Sequence, residues 1–276
     1  MRPLSSLFFA ILFAFIVCAL NADEGLFKLS GNFVQGGLVF GQVEPGSSIH
    51  INDHNVRVAA NGEFILGFGR DYPESASLTI VNQNGNEYQH ALQIATRKYK
   101  IQKINSLPKA QVNPDEKTLV RIKRERKNIT QARSLDDARM DFTNGFIWPV
   151  KGPITGVFGS QRVLNGEARQ PHYGIDVAAP IGTPVIAPAA GVVSYIGEMY
   201  FSGGTLVLDH GHRLSSSFLH LEEILVKVGD RIEQGEKIAL VGATGRVTGA
   251  HLDWRMNWHG QRIDPGLLMH EPAKSK

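Results

Sequence analysis

The stretch that decides the fold is residues 171–184, which read PHYGIDVAAPIGTP. It places an imidazole and a carboxylate, His172 and Asp176, four residues apart around Gly174. If the stretch is extended, residues an even number apart project to the same face of the strand, so the two side chains share a side. Glycine between them permits a close backbone approach because it has no Cβ. Imidazole nitrogen and carboxylate oxygen are both ligands that zinc accepts in proteins.

Two later elements bring further candidate ligands. Residues 218–221 read FLHL and contain His220, and residues 251–254 read HLDW and contain His251 and Asp253. On a strand His251 and Asp253 share one face, because they are two residues apart. A lone histidine is usually solvated or satisfied by ordinary hydrogen bonds, whereas three such elements in glycine-punctuated β-pattern sequence indicate a common site.

The spacing predicts a three-ligand zinc site with a position left open for water. His172, Asp176 and one residue of the 251–253 element would supply the ligands. The bound water would attack a carbonyl, while the remaining imidazoles move protons or stabilise the oxyanion.

The surrounding pattern predicts an all-β protein with two β domains. Residues 146–270 are rich in glycine and proline and show strand-like runs without an amphipathic helix, which favours an antiparallel β domain. Residues 23–104 show short alternating runs broken by turn signals, which favours a small β-sandwich. Within it, Asn61-Gly62 is typical of a β-hairpin turn.

Residues 105–145 are predicted to form a helical basic linker. Prolines punctuate its start, and residues 115–140 are highly charged and free of glycine and proline, as in an exposed helix. Its basic cluster is interpreted as a solvated face, with a role in holding anionic wall polymer as the alternative. The cluster consists of Lys117, Arg121, Lys123, Arg124, Arg126 and Lys127.

Residues 1–22 have the layout of a secretory signal peptide. A basic start is followed by an apolar run over residues 7–20 and by the small residue Ala22. An uncleaved anchor is the alternative, and a membrane contact is expected only in that case. The single cysteine, Cys18, lies inside this leader, so the mature chain is expected to contain neither disulfides nor cysteine-ligated zinc. We therefore expect a periplasmic or secreted protein of the bacterial envelope.

The composition excludes several classes of protein. The chain of 276 residues is long enough for two domains, and its contents of 42% hydrophobic and 20% charged residues are those of a globular protein. The formal net charge is only +3, and no groove-reading or aromatic motif accompanies it, so nucleic acid is not an expected partner.

Residues 172–185, 218–221 and 244–254 together resemble the ordered motifs of the M23 metallopeptidases, the lysostaphin type. Phe218 stands where that family has tyrosine in its Tyr-x-His-Leu element. The resemblance implies that His172 and Asp176 are metal ligands, and that His220 and His251 are catalytic. It covers most of the second predicted domain and none of the first.

Asp253 departs from the family pattern, which usually has a second histidine there as the third zinc ligand. A carboxylate oxygen lies about as far from the backbone as the nearer imidazole nitrogen, so Asp253 remains a predicted ligand. Two carboxylates would neutralise the charge of the ion and make its water less acidic. Slower turnover or an altered metal preference is the expected consequence.

The sequence therefore predicts a zinc endopeptidase that cuts peptide cross-links of bacterial peptidoglycan. The alternative is a non-catalytic envelope protein that binds cell wall or activates another wall hydrolase. Six other histidines are not expected to be ligands, and of these His210 and His212 are expected in a turn or at the rim of the site. The six are His50, His54, His90, His210, His212 and His259. Arg162 is only a candidate for a substrate contact, and the oligomeric state is left open.

Overall fold

The computed structural model describes residues 26–52, 54–105 and 114–269. The predicted leader, residues 1–22 with Cys18, lies outside these ranges. Within them, no helix has both the length and the apolar character needed to cross a membrane.

The N-terminal part consists of seven strands in two antiparallel sheets, with strand orders β1-β2-β5 and β4-β3-β6-β7. The strands alternate in burial as the sequence pattern predicts: in β6, Ala76, Leu78 and Ile80 are buried while Ser75 and Ser77 are exposed. Apolar side chains of both sheets belong to one continuous core. The strands are β1 Phe27–Gly31, β2 Leu38–Val43, β3 Ser48–Ile51, β4 His54–Val56, β5 Glu63–Gly67, β6 Ser75–Val81 and β7 Glu87–Gln93.

The hairpin predicted at Asn61-Gly62 is wrong. The chain does turn there, since the Ala59 amide donates to the Glu63 carbonyl at 2.8 Å and Gly62 has a φ of +88°. However, β4 pairs with β3 and β5 pairs with β2, so the flanking strands belong to different sheets. A turn signal indicates that the chain reverses, but the choice of pairing partner depends on strands distant in sequence.

The C-terminal part is built on one ten-stranded sheet, whose main path is β17-β14-β15-β16-β19-β12-β9. Outside this path, β13 pairs with β18, β18 also pairs with β16, and β20 pairs with β19. The strands of this sheet are β9 Ile154–Gly156, β12 Ile175–Ala178, β13 Pro184–Ile186, β14 Gly191–Met199, β15 Gly203–Asp209, β16 Leu214–Ile224, β17 Arg231–Ile232, β18 Lys237–Val241, β19 His251–Trp258 and β20 Gln261–Ile263. A single 3-10 turn, Pro265–Leu267, follows β20 within the described residues.

A small third sheet joins the two parts. It contains β8 Ile101–Ile104, β10 Gln161–Leu164 and β11 Glu167–Ala168. Strand β8 lies parallel to β10, and β10 is antiparallel to β11. The segment that leaves the N-terminal sheets therefore supports a strand that borders the candidate site.

The α-helix found within the described residues, α1, spans Glu116–Ala132. It begins where the Asp115 side chain accepts a hydrogen bond from the Thr118 amide at 2.8 Å, an N-cap that satisfies an otherwise unpaired donor. The six basic residues of the predicted cluster are exposed. The helix is not a free linker, because Glu125 is buried and accepts from the Tyr200 amide at 3.0 Å. The prediction of an all-β protein with one helical segment is thus confirmed.

The sheet register places the three motif elements side by side. Strand β12 lies next to β19, and Asp176 lies directly opposite Asp253. Strand β16 lies on the other side of β19, where Leu219 lies opposite Asp253. Leu252 and Trp254, on the other face of β19, are fully buried. Since directly opposite residues project to the same face of a sheet, the two carboxylates face the same side.

Candidate active site

The structure brings the three predicted ligands together. His172 Nε2 lies 3.1 Å from Asp176 Oδ1, and His172 Nδ1 lies 4.0 Å from Asp253 Oδ2. One ligand atom from each residue lies within 4.8 Å of the other two. The three residues are buried, with exposures of 0% for His172, 7% for Asp176 and 1% for Asp253.

The polar atoms of this group fit a bound cation. Both ring nitrogens of His172 and Oδ1 of Asp176 are buried, and they have no hydrogen-bond partner among the described residues. Nε2 of His172 and Oδ1 of Asp176, although only 3.1 Å apart, are therefore not aligned for a hydrogen bond. Buried polar atoms are normally paired, so unpaired atoms on the adjacent side chains of His172 and Asp176 are consistent with donors to a cation. One imidazole and two carboxylates are a donor set that a divalent metal accepts.

Neighbouring backbone fixes His172 in this position. The His172 amide donates to the Ser160 carbonyl at 2.8 Å, and the Gly159 amide donates to the His172 carbonyl at 2.7 Å. A Cβ at Gly174 would overlap with the Asp253 carboxylate, and a Cβ at Gly156 would overlap with the Asp176 carboxylate. Glycine is therefore required at both positions for the carboxylates to pack against the backbone.

Asp253 has a second partner, Arg255, which is not among the predicted site residues. Arg255 Nε lies 3.0 Å from Oδ1 of Asp253, and Arg255 Nη2 lies 2.5 Å from Oδ2. Burial would raise the pKa of Asp253, but the charges of Arg255 and His172 outweigh it and hold that pKa well below its ordinary value. Arg255 is two residues further along β19, so the period-2 rule that pairs His251 with Asp253 also predicts this contact.

Asp253 also compensates other buried positive charges. Burial lowers the pKa of Arg133 well below its ordinary value, and the positive charges of Arg262 and Arg255 lower it further. The negative charge of Asp253 raises it. Arg133 is 9% exposed and donates to the Ser217 hydroxyl at 2.9 Å. The charge of Asp253 therefore favours the charged forms of both Arg133 and Arg255.

We expect the substitution Asp253→Asn to destabilise the metal-free protein by about 3–5 kcal/mol, because it leaves buried guanidinium groups without their counter-charge. Urea unfolding of protein stripped of metal measures this effect. The control Asp71→Asn removes a carboxylate that pairs with Arg70 and is 69% exposed, so its effect should be small. An unfolding midpoint for Asp253→Asn equal to that of the unsubstituted protein would contradict the prediction.

The two predicted catalytic histidines lie beside the ligand group. The ring centroids of His220 and His251 are 4.9 Å apart, and His251 Nε2 lies 3.7 Å from Asp176 Oδ1. Nδ1 of His220 contacts the Thr244 carbonyl at 2.8 Å, and Nδ1 of His251 contacts the Gly249 carbonyl at 2.8 Å. Since a carbonyl can only accept, each Nδ1 bears the hydrogen in these contacts. In the neutral tautomer each Nε2 is then a proton acceptor.

His220 reaches the site through an unusual backbone conformation. Leu219 lies opposite Asp253, so simple alternation would turn His220 to the other face of the sheet. His220 instead has a φ of +64°, and its amide donates to the Ser202 carbonyl at 2.8 Å. Burial lowers the pKa of His220 to about 4, although the Asp253 charge acts against this shift. The imidazole is therefore neutral at neutral pH.

The other histidines among the described residues lie outside the metal-binding group. His210 and His212 lie in the turn between β15 and β16, as expected, and both are buried. His210 makes two hydrogen bonds, at 2.6 Å to the Ala190 carbonyl and at 2.8 Å to the Ser216 hydroxyl. Burial lowers its pKa to about 4, so it is a neutral structural residue. His54 stacks on His259, with ring centroids 5.9 Å apart.

A buried His-Asp-Asp group flanked by two imidazoles is a site of the metallopeptidase type. Residues 170–265 match the model of peptidase family M23. The chain therefore contains a peptidase family M23 domain, as the motifs predict.

Two relatives and one solved structure indicate the extent of this similarity. The chain is 38% identical over 130 residues to the peptidoglycan DD-endopeptidase ShyB of Vibrio cholerae. The aligned region covers 47% of this chain and 28% of ShyB. It is 42% identical over 94 residues to ShyA of the same organism, covering 34% of this chain and 22% of the relative. The chain thus spans about a quarter of the length of these relatives.

The similarity to a crystal structure extends over most of the chain. An M23 protein from Pseudomonas aeruginosa superposes with a TM-score of 0.67 at 29% identity, covering 85% of this chain and 94% of that one. The arrangement of the N-terminal sheets, the helix and the C-terminal sheet therefore has a counterpart in a solved structure.

Proposed function

We propose that this chain is a zinc endopeptidase that hydrolyses peptide cross-links of bacterial peptidoglycan. The observation that supports this most directly is the convergence of His172, Asp176 and Asp253, with unpaired buried donor atoms on the first two. The M23 domain and the two DD-endopeptidase relatives support the same class of substrate.

In the proposed mechanism, His172, Asp176 and Asp253 would hold the ion. The chemistry supplied by zinc at this site would be a more acidic water and a polarised substrate carbonyl. His251, whose Nε2 lies 3.7 Å from Asp176, is positioned to accept a proton at that nitrogen. His220, which burial keeps neutral with its hydrogen on Nδ1, presents Nε2 as an acceptor that orients the attacking water. The proton that His251 takes from this water then passes to the leaving amine.

Arg255 modifies the expected effect of the second carboxylate. Its guanidinium shares the charge of Asp253, so the donor set is less negative than two carboxylates alone would make it. We therefore propose that Asp253 replaces the family's usual histidine as a ligand of moderate charge. The same contact favours the alternative of a non-catalytic envelope protein, because a guanidinium that occupies both oxygens competes with a metal for them.

We further propose the domain bounds that the sequence predicts. Residues 1–22 act as an export signal, residues 23–104 as a spacer or docking domain, residues 105–145 as a helical linker, and residues 146–270 as the peptidase. Export places the protein in the periplasm or outside the cell, where peptidoglycan is accessible.

The test combines metal analysis with digestion of purified sacculi. We expect the mature protein to retain a stoichiometric amount of zinc after dialysis, to release soluble fragments from sacculi, and to stop doing so when a chelator removes the metal. Re-addition of zinc should restore release. Cleavage that survives complete chelation would rule out the zinc mechanism, and a metal-free protein that never cleaves would favour the non-catalytic alternative.

A further inference from the structure

A cleft rich in arginine lies directly beside the candidate metal group. It has a volume of about 190 Å³ and is bordered by His220 and Leu219 on one side. Four guanidinium groups line it, those of Arg162, Arg169, Arg246 and Arg255. The cleft is smaller than the roughly 300–1,000 Å³ of pockets that hold drug-sized ligands, so it fits one substrate residue or side chain.

These arginines come from separate segments that the fold brings together. Arg162 lies on β10, Arg169 follows β11, Arg246 lies in the loop between β18 and β19, and Arg255 lies on β19. Strand β10 is supported by its parallel pairing with β8, in which Arg162 lies opposite Gln102. Residues so distant in sequence form one positively charged wall only in the folded chain.

The guanidinium of Arg246 is held in place by an aromatic ring. Its Cζ lies 4.2 Å from the centroid of the Phe201 ring, and the Arg246 amide donates to the Phe201 carbonyl at 2.9 Å. An arginine stacked on a ring loses little further conformational freedom when it binds an anion.

Carboxylates lie close to several arginines of this cleft. Arg162 Nη2 lies 3.4 Å from Asp176 Oδ2, Arg255 pairs with Asp253, and Arg169 pairs with the exposed Glu167. The first two contacts use carboxylates that the proposed metal would also draw on. Burial lowers the pKa of Arg246, and so do the charges of Arg162, Arg169 and Arg255. That mutual effect indicates a concentrated positive potential in the cleft.

We propose that this cleft binds a free carboxylate of the peptide substrate, on a residue next to the scissile bond. This inference rests on the proposed peptidase function. Planar guanidinium groups bind carboxylates through paired hydrogen bonds, which fix orientation as well as supply affinity. Because Arg162 and Arg255 contact the candidate metal ligands themselves, a carboxylate held in the cleft lies within one residue of the reacting carbonyl. Peptides with that carboxylate amidated should bind poorly.

The experiment uses two synthetic peptides that model a wall cross-link and differ only in a free carboxylate or a carboxamide beside the scissile bond. Their dissociation constants are measured by calorimetry in the zinc-loaded His251→Ala background, where the proposed ligand set is intact and cleavage is slow. We expect the carboxylate peptide to bind about ten- to a hundredfold more tightly, as charge-assisted hydrogen bonds do. The preference should weaken at high salt.

Arg246→Gln in the same background should reduce this preference about tenfold, since Arg246 makes no contact with the proposed ligands. Arg124→Gln is the matched control, because Arg124 is exposed on α1 and the change in charge is the same. Arg169→Gln, at a half-buried position of the cleft, provides a second variant if Arg246→Gln folds poorly by circular dichroism.

Equal affinity for both peptides would overturn the inference, as would a preference that survives substitution of both Arg246 and Arg169. The result is separable from that for the proposed function. A protein that fails to digest sacculi yet prefers the carboxylate peptide loses its assignment as a peptidase, while the anion site stands.

Discussion

His172→Ala should abolish stoichiometric zinc binding and slow the hydrolysis of sacculi by about a thousandfold or more. His172 is the one imidazole of the proposed ligand set, it is fully buried, and both of its ring nitrogens point to no partner among the described residues. Without it, the two carboxylates retain Arg162, Arg255 and His251 as close partners, and none of these replaces the imidazole as a metal ligand in the proposed set. The metal contributes several kcal/mol of transition-state stabilisation in such sites, which corresponds to at least three powers of ten in rate.

Mass spectrometry of the dialysed protein measures its zinc content. Release of soluble fragments from sacculi measures the rate of hydrolysis. His50→Ala is a suitable control, because His50 lies on β3 in the N-terminal sheets and outside the metal-binding group. That variant should retain both zinc and activity. A His172→Ala protein with a full complement of zinc and an unchanged rate would disprove the proposed ligand set.

His251→Ala should lower the rate of hydrolysis by about 10²–10⁴-fold while leaving the zinc content unchanged. His251 lies beside the ligand group without belonging to it, since its Nε2 is 3.7 Å from Asp176 Oδ1 and its Nδ1 is bound to the Gly249 carbonyl. Removing it takes away a proton acceptor but none of the proposed donors to the metal. His220→Ala should behave in the same way, because Thr244 rather than the metal group fixes its ring.

The ratio of lost activity to lost metal distinguishes these histidines from His172. Rates are measured on sacculi, with metal content determined on the same samples, and the exposed His54→Ala variant serves as the control. If His251→Ala loses zinc in proportion to activity, then His251 is a ligand and the proposed roles are wrong. If it changes neither wall binding nor any cellular phenotype, the non-catalytic alternative is favoured.

Several features of the site follow from short-range pattern alone. Residues two apart on a strand share a face, which is why His251 and Asp253 were predicted to act on the same side. The predicted ligand set of His172, Asp176 and Asp253 is the set that the sheet register brings together. The closeness of Arg255 to Asp253 follows from the same rule.

Other features depend on contacts between distant segments. The positive φ of His220, which turns its ring toward His251, follows no periodic rule. The burial of His210 depends on Ala190 and on the strands around it. The strands on either side of Asn61-Gly62 pair with β3 and β2 rather than with each other. In each case the outcome is set by partners that local sequence does not specify.

By itself, the sequence determined an all-β protein with one helical segment and the residue types for a metal site on glycine-flanked strands. Alternation along strands and turn chemistry are local properties, so they can be deduced from consecutive residues. Only the tertiary structure decided that Asp176 lies opposite Asp253 and that four arginines from separate segments line one cleft. The physical reason is that charge compensation and cavity shape depend on which strands pair, and pairing is decided by long-range packing.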